Sequence, residues 1–224
     1  MEGLKEKIRQ KWYLRWLLFP SNWLTQGIIN ADRTEKIYKI VFTLFFWGVF
    51  FVLFQVQNIQ TFSAVIISFV IAHTLNWLIN GSISTILLHR LFIGKLSKDK
   101  AFNYLYNLEK RLYKTNSIAV VAVFGSITRG ELKPSSDIDI TFVRKPGFQN
   151  ALKALLFMVK EKYTANIKQI PIEPFLADSI PYMKKRYRSD EAPIIIKGKK
   201  IILLNNKYYT EVLTIKEAAH KNNC

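Results

Sequence analysis

The stretch AVVAVFGSITRGELKPSSDIDITFVR, Ala119 to Arg144, decides how the chain is read. It opens on an apolar run, Ala119 to Phe124, short enough for a buried strand. Gly125-Ser126 breaks the run, and a polar turn with Gly130 and Pro134 follows. Ser136-Asp137-Ile138-Asp139-Ile140 then leads into Thr141-Phe142-Val143. Successive side chains of a strand point to opposite faces, so Asp137 and Asp139 share one face and Ile138 and Ile140 the other. Two neighbouring carboxylates repel each other. A hard cation such as Mg²⁺ removes that cost, taking oxygen ligands from the protein and usually from substrate phosphates. A glycine where a strand feeds a turn lets phosphate come close to backbone N–H groups.

Gly125-Ser126, Arg129-Gly130 and Asp137-Ile138-Asp139 together resemble the signature of the DNA polymerase β-type nucleotidyltransferase superfamily in its minimal form. The likeness is tight over the motif and loose from about Lys98 to Leu204. It implies a domain that directs an acceptor's attack on the α-phosphate of a nucleoside triphosphate (NTP), with pyrophosphate expelled and two Mg²⁺ or Mn²⁺ ions held by Asp137 and Asp139. It also implies phosphate binding at Gly125 and Ser126. Arg129 either neutralises phosphate or braces the loop, and Lys133 is a weaker candidate for the same task. The family often places a third carboxylate on a later strand, as catalytic residue and metal ligand. Glu173, within Pro171-Ile-Glu-Pro174, fits that place, and Asp178 is the reserve.

Composition frames this motif. The chain has 224 residues, half of them apolar, and a formal charge of +17. A balance so basic suits nucleic acid, anionic lipid or polyphosphate without choosing among them. The single cysteine, Cys224, excludes an intrachain disulfide framework.

From Ile40 to His89 there is no Asp, Glu, Lys or Arg. A polar connector, Gln55 to Thr61, divides this stretch into two apolar segments, each adequate for a membrane-spanning helix. Asp32 and Glu35 read as a capping box before the first. Ahead of it, Leu4, Ile8, Trp12, Trp16 and Phe19 mark one face of a basic amphipathic helix suited to the membrane interface. Lys36 and Lys39 precede the hairpin, Arg90, Lys95, Lys98 and Lys100 follow it, and the connector carries no charge. The positive-inside rule then puts both termini and the catalytic domain in the cytoplasm, on a multi-pass inner-membrane protein. His73, Asn76, Asn80 and Ser84 form a polar stripe along the second span. Such a stripe either hydrogen-bonds within the hairpin or between subunits, or forms a groove for a lipid-linked acceptor or a membrane partner.

The expected domains are 1–97, an interfacial helix plus transmembrane hairpin, and 98–224, a catalytic domain. Within the latter, Lys98 to Asn116 reads as a helix with Phe102, Leu105, Leu108 and Leu112 inward. Phe148 to Tyr163 reads as another, with Leu152, Leu155, Leu156 and Val159 inward. Ile167 to Phe175, interrupted by two prolines, suits an edge strand. Ile194 to Leu204 suits a hairpin turning at Lys197-Gly198-Lys199. The order helix–strand–helix–strand–helix–strand makes an α+β or α/β domain, a mixed sheet flanked by helices. Lys184 to Arg188 is a basic run for lipid headgroups, a phosphorylated acceptor or plain solvent.

The first functional expectation is a membrane-anchored nucleotidyltransferase acting on a lipid-linked or membrane-protein acceptor. Duplex nucleic acid is not expected, because the chain has no further domains to grip it. The alternative is a nucleotide-binding regulatory or scaffold subunit of a larger membrane enzyme, such as a glycan- or lipid-modifying complex. A third reading, the nucleotide-transferring half of a toxin–antitoxin pair, leaves the apolar segments unexplained.

Overall fold

A computed structural model describes residues 18–80, 96–134, 136–187, 191–199, 209 and 211–223. The chain falls into two compact units, Met1–Ile83 and Ser84–Cys224. The division lies ahead of the expected 97/98 junction. By Leu96 the backbone already belongs to the second unit, where its N–H donates to the Pro134 carbonyl. Most of the expected interfacial helix, together with Ser84, Arg90, Lys95 and the second arm of the 194–204 hairpin, lies outside the described residues.

In the first unit, α1 (Leu18–Thr25) is followed by a 3-10 turn (Ile28–Asn30) and two long helices, α2 (Arg33–Val56) and α3 (Thr61–Asn80). Asp32 caps α2 by accepting from the Arg33 N–H, and Glu35 pairs with Lys39 at 2.7 Å. The polar stripe of α3 is met from within the unit. His73 Nε2 donates to the Trp23 carbonyl, and Gln26 Nε2 donates to the His73 carbonyl. Asn76 donates to the Lys39 carbonyl and the Thr43 hydroxyl, and Asn80 donates to Asn76. These bonds pin α1 and the head of α2 to α3. The remaining surface of the pair is apolar and open: Val41, Phe45, Val52, Val56 and Phe62 all stand exposed. Both helices are long and apolar enough to cross a membrane.

The second unit contains α4 (Lys98–Leu112), β1 (Ile118–Phe124), β2 (Ile138–Arg144), α5 (Phe148–Ile167), β3 (Ile172–Ala177), α6 (Ile180–Arg186), β4 (Ile194–Lys197) and α7 (Ile215–Lys221). The strands form one mixed sheet in the order β3-β2-β1-β4. β1 is antiparallel to both β2 and β4, while β2 and β3 run parallel with α5 as their crossover. The motif is a strand–turn–strand unit, as its polar turn predicts. β1 and β2 follow each other through a turn alone, because Gly125 and Gly130 both take positive φ and reverse the chain without a helix. β3 lies at a sheet edge, as its prolines require.

Ser97 caps α4, and Phe102, Leu105, Leu108 and Leu112 are buried as the spacing predicts. α5 differs from expectation. Leu155 is inward, but Leu152 and Leu156 are exposed, and the buried set is Ala154, Leu155, Met158, Glu161, Lys162 and Ala165. The helix is turned so that Glu161 takes two bonds from Arg111, at 2.7 and 2.6 Å, with small alanines on the inner side. The ring of Phe157 meets that of Phe142, so α5 covers the Ile138–Ile140–Phe142 face of β2. The opposite face packs Val120, Ala122, Phe124, Val143, Phe175 and Ala177 with Met183 of α6, Tyr209 and Val212.

Candidate active site

β1 ends at Phe124, whose partner across the ladder is Asp139. Residues opposite each other on paired strands share a face, so Asp139 emerges beside Phe124, on the face away from α5. The parallel register then sets Glu173 directly against Asp139. Asp137, one residue ahead of β2, joins them. Ligand oxygens of Asp137, Asp139 and Glu173 all lie within 4.8 Å of one another. The reserve candidate, Asp178, sits beyond the other end of β3 and accepts from Arg144 Nε at 2.5 Å.

This grouping has an electrostatic cost. Burial pushes the Asp139 carboxyl up to about 8, and the neighbouring charges of Asp137 and Glu173 push the same way. Arg186 at the end of α6 opposes them. Its guanidinium donates to Glu173 at 3.4 Å and lies over the Phe175 ring at 4.1 Å. Burial works against the Arg186 charge, but Tyr187, Glu173 and Asp139 together hold its pKa above the usual arginine value.

The turn after β1 is shaped for close approach. Gly125 has φ +90°, and a Cβ there would stand 2.7 Å from Asp139 Oδ2. The Ser126 carbonyl accepts from the N–H groups of Arg129 and Glu131, and Thr128 donates through its hydroxyl to the Gly125 carbonyl. Arg129 pairs with Glu131 at 3.1 Å and Glu191 at 2.6 Å, which braces the loop against the segment before β4. Lys133 is exposed on the same turn. The C-terminal segment holds the turn from below: Asn222 Nδ2 donates to the Ile127 carbonyl at 2.8 Å.

Within the basic run, two of the described side chains turn inward. Arg186 turns onto Glu173, and Tyr187 stacks flat on Phe124, with centroids 3.7 Å apart, and hydrogen-bonds to Thr141 at 3.0 Å. The structure thus brings Gly125, Ser126, Asp137, Asp139 and Glu173 together, sets Arg129 and Lys133 on the adjoining turn, and leaves Asp178 apart. Arg186, Tyr187, Glu191 and Asn222 escaped the sequence reading. Arg186 and Tyr187 stood inside a run whose charge masked their separate contacts, and nothing local marks Glu191 or Asn222.

Three carboxylates offering hard oxygen donors suit a divalent cation of the Mg²⁺ or Mn²⁺ type. No curated protein and no solved structure matches the chain. Residues 105–203, which span β1 through β4 and so contain all three acids, match the family model described as the nucleotidyltransferase domain.

Proposed function

We propose that the chain is a membrane-anchored nucleotidyltransferase, moving a nucleoside monophosphate from an NTP to an acceptor at the cytoplasmic membrane face. One observation carries the reading: three carboxylates converge beside a glycine-serine turn, within a segment matching the nucleotidyltransferase domain. Asp137, Asp139 and Glu173 would hold two divalent ions. When bound, such ions stabilise charge on the transferring phosphoryl group and lower the pKa of the attacking hydroxyl.

The remaining work falls to the chain's own residues. Gly125 lets the Asp139 carboxylate lie against the turn, because a Cβ at that position would stand 2.7 Å from its Oδ2. Ser126 and the backbone amides of the turn hold the terminal phosphates. Arg129, tied to Glu131 and Glu191, acts as a brace that keeps the turn in register. Glu173 is aligned by Arg186, and a fixed carboxylate is what accepting a proton from an acceptor hydroxyl needs.

Anchoring is supported by the open surface of α2 and α3. Only 6% of the most apolar window of α2, and 28% of that of α3, is buried inside the fold. A core helix of a water-soluble protein would be mostly covered, and an exposed apolar surface this continuous needs another solvent. The uncharged connector and the lysines at the head of α2 support a cytoplasmic second unit. There an anchored enzyme meets a lipid-linked or membrane-protein acceptor at raised local concentration.

The test is incubation of the purified full chain, with its membranes, with each labelled NTP and Mg²⁺ or Mn²⁺. Label should enter a membrane-derived species, with pyrophosphate released, and vanish with chelator or in Asp139→Ala. Equal incorporation by Asp139→Ala refutes the mechanism. NTP binding without turnover would instead favour a regulatory subunit.

A further inference from the structure

α5 has two apolar sides, and the core uses only one. At about 100° per residue, Phe148, Leu152, Leu156, Val159, Tyr163 and Ile167 fall within a sector roughly 100° wide, away from the buried set. Phe148 and Ile167 are each 83% exposed, and Leu152, Leu156 and Tyr163 are exposed as well. Beside this stripe the helix carries exposed Lys153, Lys160 and Lys168. Its only acid, Glu161, is fully buried against Arg111. A surface whose exposed charges are all cationic, next to a stripe of Leu, Ile and aromatic residues, is the pattern of a helix lying in a lipid interface.

A cleft of about 470 Å³ adjoins the stripe, and among the described residues its lining includes Lys114, Lys153, Leu156 and Lys160 but no acidic residue. Ser117 also lines it. That residue is 3% exposed, and its hydroxyl has no hydrogen-bond partner among the described residues. An anion entering the cleft meets three lysine side chains from its described lining.

We propose that the outer face of α5 seats on an anionic phospholipid surface, with a headgroup phosphate in the Lys114–Ser117–Lys153–Lys160 cleft. The inference rests on the anchored reading above, since α2 and α3 would tether the second unit at a bilayer. It also refines that reading. α5 covers the sheet face opposite Asp137, Asp139 and Glu173, so a docked unit turns its acids away from the headgroups. The acceptor is then a group that stands clear of the bilayer, such as the extramembrane part of a membrane protein or the distal end of a long lipid-linked chain.

The test places an environment-sensitive fluorophore on single cysteines of the full chain carrying Cys224→Ser, reconstituted in vesicles with brominated lipid as quencher. Leu156→Cys reports the α5 face and Phe45→Cys reports the hairpin. Glu211→Cys is the control, in the segment that packs on the other sheet face. In phosphatidylcholine with phosphatidylglycerol, the Leu156 and Phe45 probes should be quenched and the Glu211 probe should not. Phosphatidylcholine alone should release the Leu156 probe only. The pair Lys153→Gln and Lys160→Gln should lower its docked-to-undocked ratio roughly 25-fold. Quenching at Phe45 without quenching at Leu156 overturns this inference and leaves anchoring standing. Absence of quenching at both overturns anchoring and this inference with it. A Leu156 probe shielded in proportion to protein density, without lipid quenching, means a second copy covers the face. Displacement of the Leu156 probe from anionic vesicles should need competing phosphatidylglycerol. Inorganic phosphate acting equally well would make the cleft a site for the free anion and overturn the lipid assignment.

Discussion

Replacing Gly125 by alanine separates the stability of the turn from its chemistry. The backbone there has φ +90°, which an L side chain rarely adopts, so alanine costs about 1–2 kcal/mol in conformation alone. The new Cβ would also stand 2.7 Å from Asp139 Oδ2, where ordinary contact begins near 3.4 Å. Asp139 must retreat by about 0.7 Å, and rotating a short side chain achieves this at little further cost in stability. The chemistry is less forgiving, because a misplacement approaching 1 Å costs on the order of 10²-fold in rate. Gly125→Ala should therefore lower the midpoint of thermal unfolding by only a few degrees. It should lower kcat on the order of 10²-fold and raise the Mg²⁺ concentration needed for half activity. Denaturation of the full chain in detergent, alongside labelled-NTP turnover across a Mg²⁺ titration, reads both quantities. In the Asp139→Ala background the alanine should cost the same 1–2 kcal/mol, because only the φ penalty remains. A Gly125→Ala enzyme with parental rate and parental Mg²⁺ dependence would refute the view that this glycine exists to let the Asp139 carboxylate hold its position against the turn.

Three further outcomes follow from the same geometry. Glu173→Gln should abolish turnover while Asp178→Asn leaves the rate near parental, since Asp178 is bound to Arg144 away from the acids; the reverse result would move the third ligand. With its folded pKa raised to about 8, Asp139 binds more protons folded than unfolded between about pH 4 and 8. Metal-free stability should fall as pH rises through that window, by on the order of 5 kcal/mol, and then level off. Added Mg²⁺ or Asp139→Asn should flatten the slope in chemical denaturation, and a slope indifferent to both would contradict the assignment. Glu161→Ala strips the partner from Arg111 and from the Tyr104 hydroxyl, so about 3 kcal/mol of stability should be lost. Turnover below the new melting temperature should be unchanged, because that cluster lies on the α5 side of the sheet.

Much of this architecture can be read along the chain, because the signals are local. Period-two alternation around Asp137-Ile138-Asp139, the break at Gly125, the helical spacing of Phe102 to Leu112 and the uncharged run from Ile40 to His89 each concern residues close in sequence. Even the proline-bounded edge strand is a local inference, since a missing N–H cannot serve a central strand.

What only the folded chain decides is which distant residues meet. That Glu173 and not Asp178 joins the two aspartates follows from the parallel register of β3 on β2, and register is a property of the pair of strands. That Arg186 lies on Glu173, or that Asn222 holds the turn at Ile127, depends on where α6 and the C-terminal helix come to rest. The outward stripe of α5 was hidden for the same reason. A helix with two apolar sides does not declare which one the sheet will take, and here the side bearing Ala154, Leu155, Met158 and the Arg111-paired Glu161 turns inward.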